Sequence, residues 1–159
     1  MIEITGMHIP GGGGASQNLP RQLPLIAKYV PEVLKCRHGT INLRLPFSLF
    51  VLLPDVRTPR INWEHPSHPN GEVFDLLEIM IEAPKGTKPE RGWIYVAHDS
   101  PHRATPDIHE IIAPDLATKV NSQCLVRIAQ EFVDLPPYLH RHFPSDAKFI
   151  ASANFRSFT

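Results

Sequence analysis

Cysteine, long apolar runs and a charge excess of either sign are all scarce here. Only Cys36 and Cys124 occur, too few for a disulfide framework and too far apart for a metal knuckle, so reduced thiols in a cytoplasmic protein are expected. No apolar run is long enough to cross a membrane. The opening Met1-Ile2-Glu3-Ile4-Thr5 lacks the basic-then-apolar order of a secretory leader. Sixteen basic residues balance sixteen acidic ones, which withholds the broad basic face that nucleic acid requires. A DNA-binding barrel is therefore the least supported class. Beyond residue 130 there is no internal repeat or low-complexity tract. A Gly-x-Ser-x-Gly elbow, a His-Glu-x-x-His pair, and the lysine and hydroxyl that end a P-loop are absent.

Proline, by contrast, is plentiful. Seventeen prolines are scattered along 159 residues and interrupt helix interiors and central strands, so short strands and long loops are expected. With 42% hydrophobic and 20% charged residues the chain can bury one core. The expected layout is a barrel domain over 1–130 and an extension over 131–159. In the extension Tyr138, Phe143, Phe149, Phe155 and Phe158 are spaced among polar residues, and it is expected to pack on the barrel or on a partner subunit.

Ile2 and Ile4 alternate with Glu3 and Thr5, a strand pattern that runs towards Ile9. Gly11, Gly12, Gly13 and Gly14 follow. Leu23, Ile26, Ala27, Val30 and Leu34 have helical spacing, but Pro24 and Pro31 restrict the expected helix to 24–29. A short apolar run at 49–53 is closed by Pro54, and further strands are expected at 73–83, 93–97, 108–112 and 125–129. A short helix is expected over 114–120, where Pro114 suits a first turn. The segment 57–70 contains three prolines and two histidines and reads as a long surface loop. Strands outnumber helices, which points to a small mainly β barrel, closed so as to leave few free edges.

Three groups of residues could carry chemistry. In Gly39-Thr40-Ile41-Asn42-Leu43-Arg44-Leu45, strand alternation puts Ile41, Leu43 and Leu45 on one face and Thr40, Asn42 and Arg44 on the other. The second face is a polar edge, although ordinary half-buried strands share the pattern. The four glycines offer consecutive backbone N–H groups that can cradle phosphate oxygens, or else form a flexible linker. Glu110 stands among isoleucines, where a carboxylate must face solvent, a partner or a ligand. The nine histidines, including the pairs His65/His68 and His140/His142, match no zinc signature and read as solvated.

The order of these pieces is a glycine loop, a proline-bearing helix, Gly39-Thr40-Ile41-Asn42-Leu43, a long middle, and Ile108-His109-Glu110-Ile111-Ile112-Ala113-Pro114. In this order the chain resembles the archaeal CTP-dependent riboflavin kinases, whose hallmarks are a Gly-Thr-Leu-Asn-Leu strand and a Glu-Ile-Ile-Ala-Pro segment. The likeness spans roughly the first 130 residues. It implies a six-stranded cradle-loop barrel with one or two short helices, and a Mg2+-dependent phosphotransferase acting on riboflavin or a related hydroxyl substrate to give FMN. Thr40 and Asn42 would hold the metal. Gly11 to Gly14, with Asp115, Leu116, Ala117 and Thr118, would bind the nucleoside triphosphate, and Ser100 and Glu110 the acceptor. The chain departs from the family in two places. Ala15, Ser16 and Gln17 follow the glycines where the family has an acidic residue within the loop and an aromatic after it. Asp115 to Thr118 stand where basic residues are usual. The donor nucleotide is thereby left open, CTP being the one the resemblance implies. A non-catalytic barrel that binds a small ligand or a protein, as a monomer or a homo-oligomer through the extension, is the alternative.

Overall fold

The computed structural model describes residues 1–46, 52–100 and 105–132. Most of the apolar run at 49–53 and the extension beyond its first two residues lie outside the described part. Among the described residues seven strands are formed in chain order: β1 (Ile2–Ile9), β2 (Ile41–Arg44), β3 (Val56–Arg57), β4 (Phe74–Glu82), β5 (Glu90–Ala97), β6 (Ile108–Ile112) and β7 (Gln123–Ile128). One α-helix, α1 (Ala15–Ile26), and a 3-10 helix, Pro31–Lys35, lie between β1 and β2. No helix among the described residues is long and apolar enough to cross a membrane.

Six strands form a closed antiparallel ring in the order β4, β5, β6, β2, β1, β7 and back to β4, with β3 an extra strand on β4. The register explains what is inside. Ile41, Ile111, Ile94 and Leu77 are aligned across β2, β6, β5 and β4, and all four are at most 3% exposed. With Ile4, Leu43, Ile81 and Val126 they fill the interior. The β7 seam is held on the outside by Arg127. Its guanidinium bonds Glu3 on β1 at 2.8 Å and Glu82 on β4 at 2.7 Å.

A second apolar cluster lies outside the ring. Leu19, Leu23 and Ile26 of α1 pack with Val33 against Phe74, Leu76, Trp93, Tyr95 and Ile112. These positions are one residue away, along their strands, from the interior-facing ones, so β4, β5 and β6 are apolar on both faces where α1 covers them.

Three expectations require correction. The helix is not confined to 24–29 but runs from Ala15 to Ile26 with Pro20 and Pro24 inside it. Both prolines are exposed, while Leu19, Gln22, Leu23 and Ile26 are buried on one face. Burial of that face outweighs the two lost backbone bonds. The segment 114–120 is not helical. Leu116 packs against the barrel interior, and the segment ends in a turn where Asn121, at φ 70°, donates its N–H to the His8 carbonyl. Finally, 57–70 does not simply run over the surface. Trp63 is 3% exposed, and Ile61 pairs with Glu72 through reciprocal backbone bonds of 2.8 and 2.9 Å. Gly71, at φ 75°, is needed there, because a side chain would run into the Ile61 carbonyl.

Candidate functional site

One residue along from the interior row, a second row crosses the outside of the barrel. Ile9, Asn42, Glu110 and Tyr95 are successive partners on β1, β2, β6 and β5. This row forms the floor of a cleft of about 510 Å³. The glycine run and the start of α1 wall one side, and Trp63, His68, Glu72 and Asp99 wall another.

The structure brings most of the expected site residues to this cleft. Gly11, Gly12, Gly13, Gly14, Thr40, Asn42, Ser100 and Glu110 all line it. Asp115, Leu116, Ala117 and Thr118 do not. The Asp115 side chain is 90% exposed and reaches Arg37 at 3.8 Å. Leu116 packs inward, and Ala117 is exposed. Thr118 touches the site through another residue, its hydroxyl lying 3.2 Å from Nδ1 of His8, which lines the cleft.

The polar groups of the floor are mutually arranged. Glu110 accepts from the Ser100 hydroxyl at 3.2 Å and from the Thr40 hydroxyl at 3.5 Å. A hydroxyl that donates its proton to a carboxylate presents oxygen lone pairs on its other side. Asn42 is 4% exposed, and its Oδ1 has no hydrogen-bond partner among the described residues. A buried acceptor left unpaired costs about 1–3 kcal/mol, which a cation or a ligand donor would relieve. The Thr40 and Asn42 oxygens thus suit a hard cation such as Mg2+, which takes oxygen ligands and retains several waters.

The glycine run explains how the chain can pass so close to this floor. A Cβ on Gly11 would collide with the Asn42 carboxamide nitrogen, whereas Gly12, Gly13 and Gly14 face open space. The first turn of α1 contains no acidic residue and no side-chain cap. Gly14, Ala15 and Ser16 at its start line the cleft, so the positive end of the helix suits an anion there.

Below this layer Tyr95 donates its hydroxyl proton to Gln22 Oε1 at 2.7 Å. Burial, reinforced by the charges of Glu110 and Glu72, raises the Tyr95 pKa well above its ordinary value, so the ring stays neutral. His8 is shifted the other way. Burial lowers its pKa, and Arg37 adds to the effect against a bond to the Lys119 backbone.

Several of these groups were not singled out from the sequence. Trp63, Glu72 and Asp99 offered no spacing signal, because they converge only through the 61–72 pairing and the end of β5. His68 was visible beside His65, but only the fold shows that the His65 ring stacks on Trp63, centroids 4.5 Å apart, and that the His68 ring lies tilted to it at 5.5 Å. Compared with protein-family models and with curated proteins, the chain finds no match.

Proposed function

We propose that this barrel is a Mg2+-dependent phosphotransferase related to the riboflavin kinases, moving a phosphoryl group from a nucleoside triphosphate to a ribityl-type hydroxyl. The observation that carries this reading is Asn42, a buried carbonyl oxygen without a partner, set beside Thr40 and directly under the glycine run. Electrostatics adds support. Glu72, Asp99 and Glu110 line the cleft, and Arg37 is the one Lys or Arg among the described lining residues. A triphosphate would meet net repulsion there without a divalent counterion.

In this reading Thr40 and Asn42 hold the metal, which when bound would neutralise charge on the phosphates. The glycine run and the first amides of α1 bind phosphate oxygens. Glu110, oriented by Ser100 and Thr40, faces the acceptor and can receive the proton of its hydroxyl. Transfer then depends mainly on positioning and charge neutralisation.

The test is to incubate purified protein with riboflavin, Mg2+ and each nucleoside triphosphate in turn, and to separate the flavins by chromatography. FMN is expected with at least one donor and should vanish on chelation. No FMN with any donor, from folded protein, overturns the kinase reading. A binding-only barrel is the second reading, favoured by the position of Asp115, Leu116, Ala117 and Thr118 outside the cleft wall.

A further inference from the structure

The cleft wall opposite the glycine run contains a group of side chains that the phosphotransfer reading does not use. His68, Glu72 and Asp99 bring one imidazole nitrogen and two carboxylate oxygens within 4.8 Å of one another. Each is positioned by separate local structure. The His68 ring lies tilted against His65, centroids 5.2 Å apart, and against the Trp63 ring at 5.5 Å. Glu72, 2% exposed, is fixed by the Ile61 pairing and accepts the Asp99 N–H at 3.0 Å. Asp99 follows β5, whose end is tied by the His98 N–H to the Val73 carbonyl.

The three groups do not satisfy one another well. His68 Nδ1 and Asp99 Oδ2 are 3.5 Å apart, longer than the ~2.7–2.9 Å of a charge-assisted bond. Burial of Glu72 without a cation is costly. A second, independent observation lies beside them. Trp63, 3% exposed, lines the same cleft, and its Nε1–H has no hydrogen-bond partner among the described residues. A buried donor of this kind needs an oxygen acceptor.

We propose that His68, Glu72 and Asp99 form a site for a borderline first-row divalent cation, Zn2+ in preference to Mn2+ or Mg2+. Its open positions face the cleft, and Trp63 Nε1–H donates to an oxygen bound there. One imidazole with two carboxylates suits zinc, and three protein ligands leave a coordination position for water or a ligand oxygen. Contact with the His65 and Trp63 rings holds the His68 ring in place.

This inference does not rest on the phosphotransferase reading, and the two can fail separately. The test is calorimetric titration of untagged, chelator-stripped protein with Zn2+, Mn2+ and Mg2+ near neutral pH, with tryptophan fluorescence followed in parallel. One Zn2+ equivalent is expected that perturbs fluorescence. Loss of a direct ligand should cost more than the ~10–100-fold typical of outer partners, so His68→Ala and Asp99→Asn should each weaken that equivalent by ~100-fold or more. Asn42→Ala should retain it. The Asp99 side chain is 57% exposed, so its variant is expected to fold, which circular dichroism checks. Absence of a Zn2+ equivalent, or one that survives both substitutions in folded protein, overturns the proposal.

Discussion

A methyl group on Gly11 would occupy the space now filled by the Asn42 carboxamide, while the same methyl on Gly12 would meet nothing within 4 Å. The two glycines are equivalent in composition and unequal in consequence. Gly11→Ala is expected to displace Asn42 and to abolish Mg2+-dependent nucleotide binding as completely as Asn42→Ala does, whereas Gly12→Ala should leave it within about twofold, a surface change worth less than ~0.5 kcal/mol. Equilibrium binding of each triphosphate with and without Mg2+ separates the cases. A different residue governs the response to acid. His109 pairs with Leu43 on the interior face and is fully buried, and burial lowers its pKa to about 4 against the opposing bond to the Asp107 carbonyl. The unfolded chain, with a histidine near 6.5, binds the proton more readily. Stability is therefore complete above about pH 6.5 and is lost as pH falls towards 4, by about 3 kcal/mol from this residue alone. Thermal unfolding at pH 7.5 and 4.5 should show a smaller acid loss in His109→Leu than in the parent.

At the scale of elements, α1 is held by its buried face in spite of its sequence. Pro24 is exposed and lacks the N–H that would bond the carbonyl of residue 20. Pro24→Ala should raise stability by about 1–2 kcal/mol, the restored bond and relieved clash exceeding the entropy that proline removes from the unfolded chain. A lower unfolding temperature would show that the ring itself packs productively. The same helix marks where sequence reasoning reaches its limit. β1 and β2 were legible because Ile2/Ile4 and Ile41/Leu43 alternate as half-buried strands do, and β6 because isoleucines crowd around Glu110. The extent of α1 was not, since local rules place a break at Pro24 and only contact with Phe74 and Trp93 overrides it. The 114–120 segment failed in the opposite direction: its local pattern permits a helix, but it is not helical, and the chain just after it is tied to β1 by the bonds of Asn121 and Ser122 with His8. In the site, Asn42 and Glu110 could be read as polar positions in apolar strands. Their direct pairing, and the meeting of His68 with Asp99, depend on register and on tertiary closure, which no local pattern encodes.

For the whole molecule, the ring closes where β4 and β7 meet, and Arg127 clamps that seam between two carboxylates that are 23% and 11% exposed. Arg127→Met would keep the stem and remove the charge, leaving Glu3 and Glu82, on the two strands that flank β7, without their shared guanidinium, though Glu82 keeps the Gly86 N–H at 2.9 Å. A loss of about 1–3 kcal/mol is expected in denaturant unfolding, and Glu3→Gln should lose less, because Glu82 keeps its guanidinium. The cleft lies entirely outside this ring. Its floor is barrel, but its walls are straps built on a separate apolar cluster: the glycine run with α1, and the 61–72 segment around Trp63. Two clusters sharing one sheet can open at different free energies. Interior amides such as those of Ile41, Ile94 and Val126 should therefore exchange with deuterium only on global unfolding. The amides of Leu23 and Glu72 should exchange through a cheaper, partial opening that melts the straps and leaves the ring intact, so that ligands of the cleft slow exchange in the straps while the ring keeps its own rate.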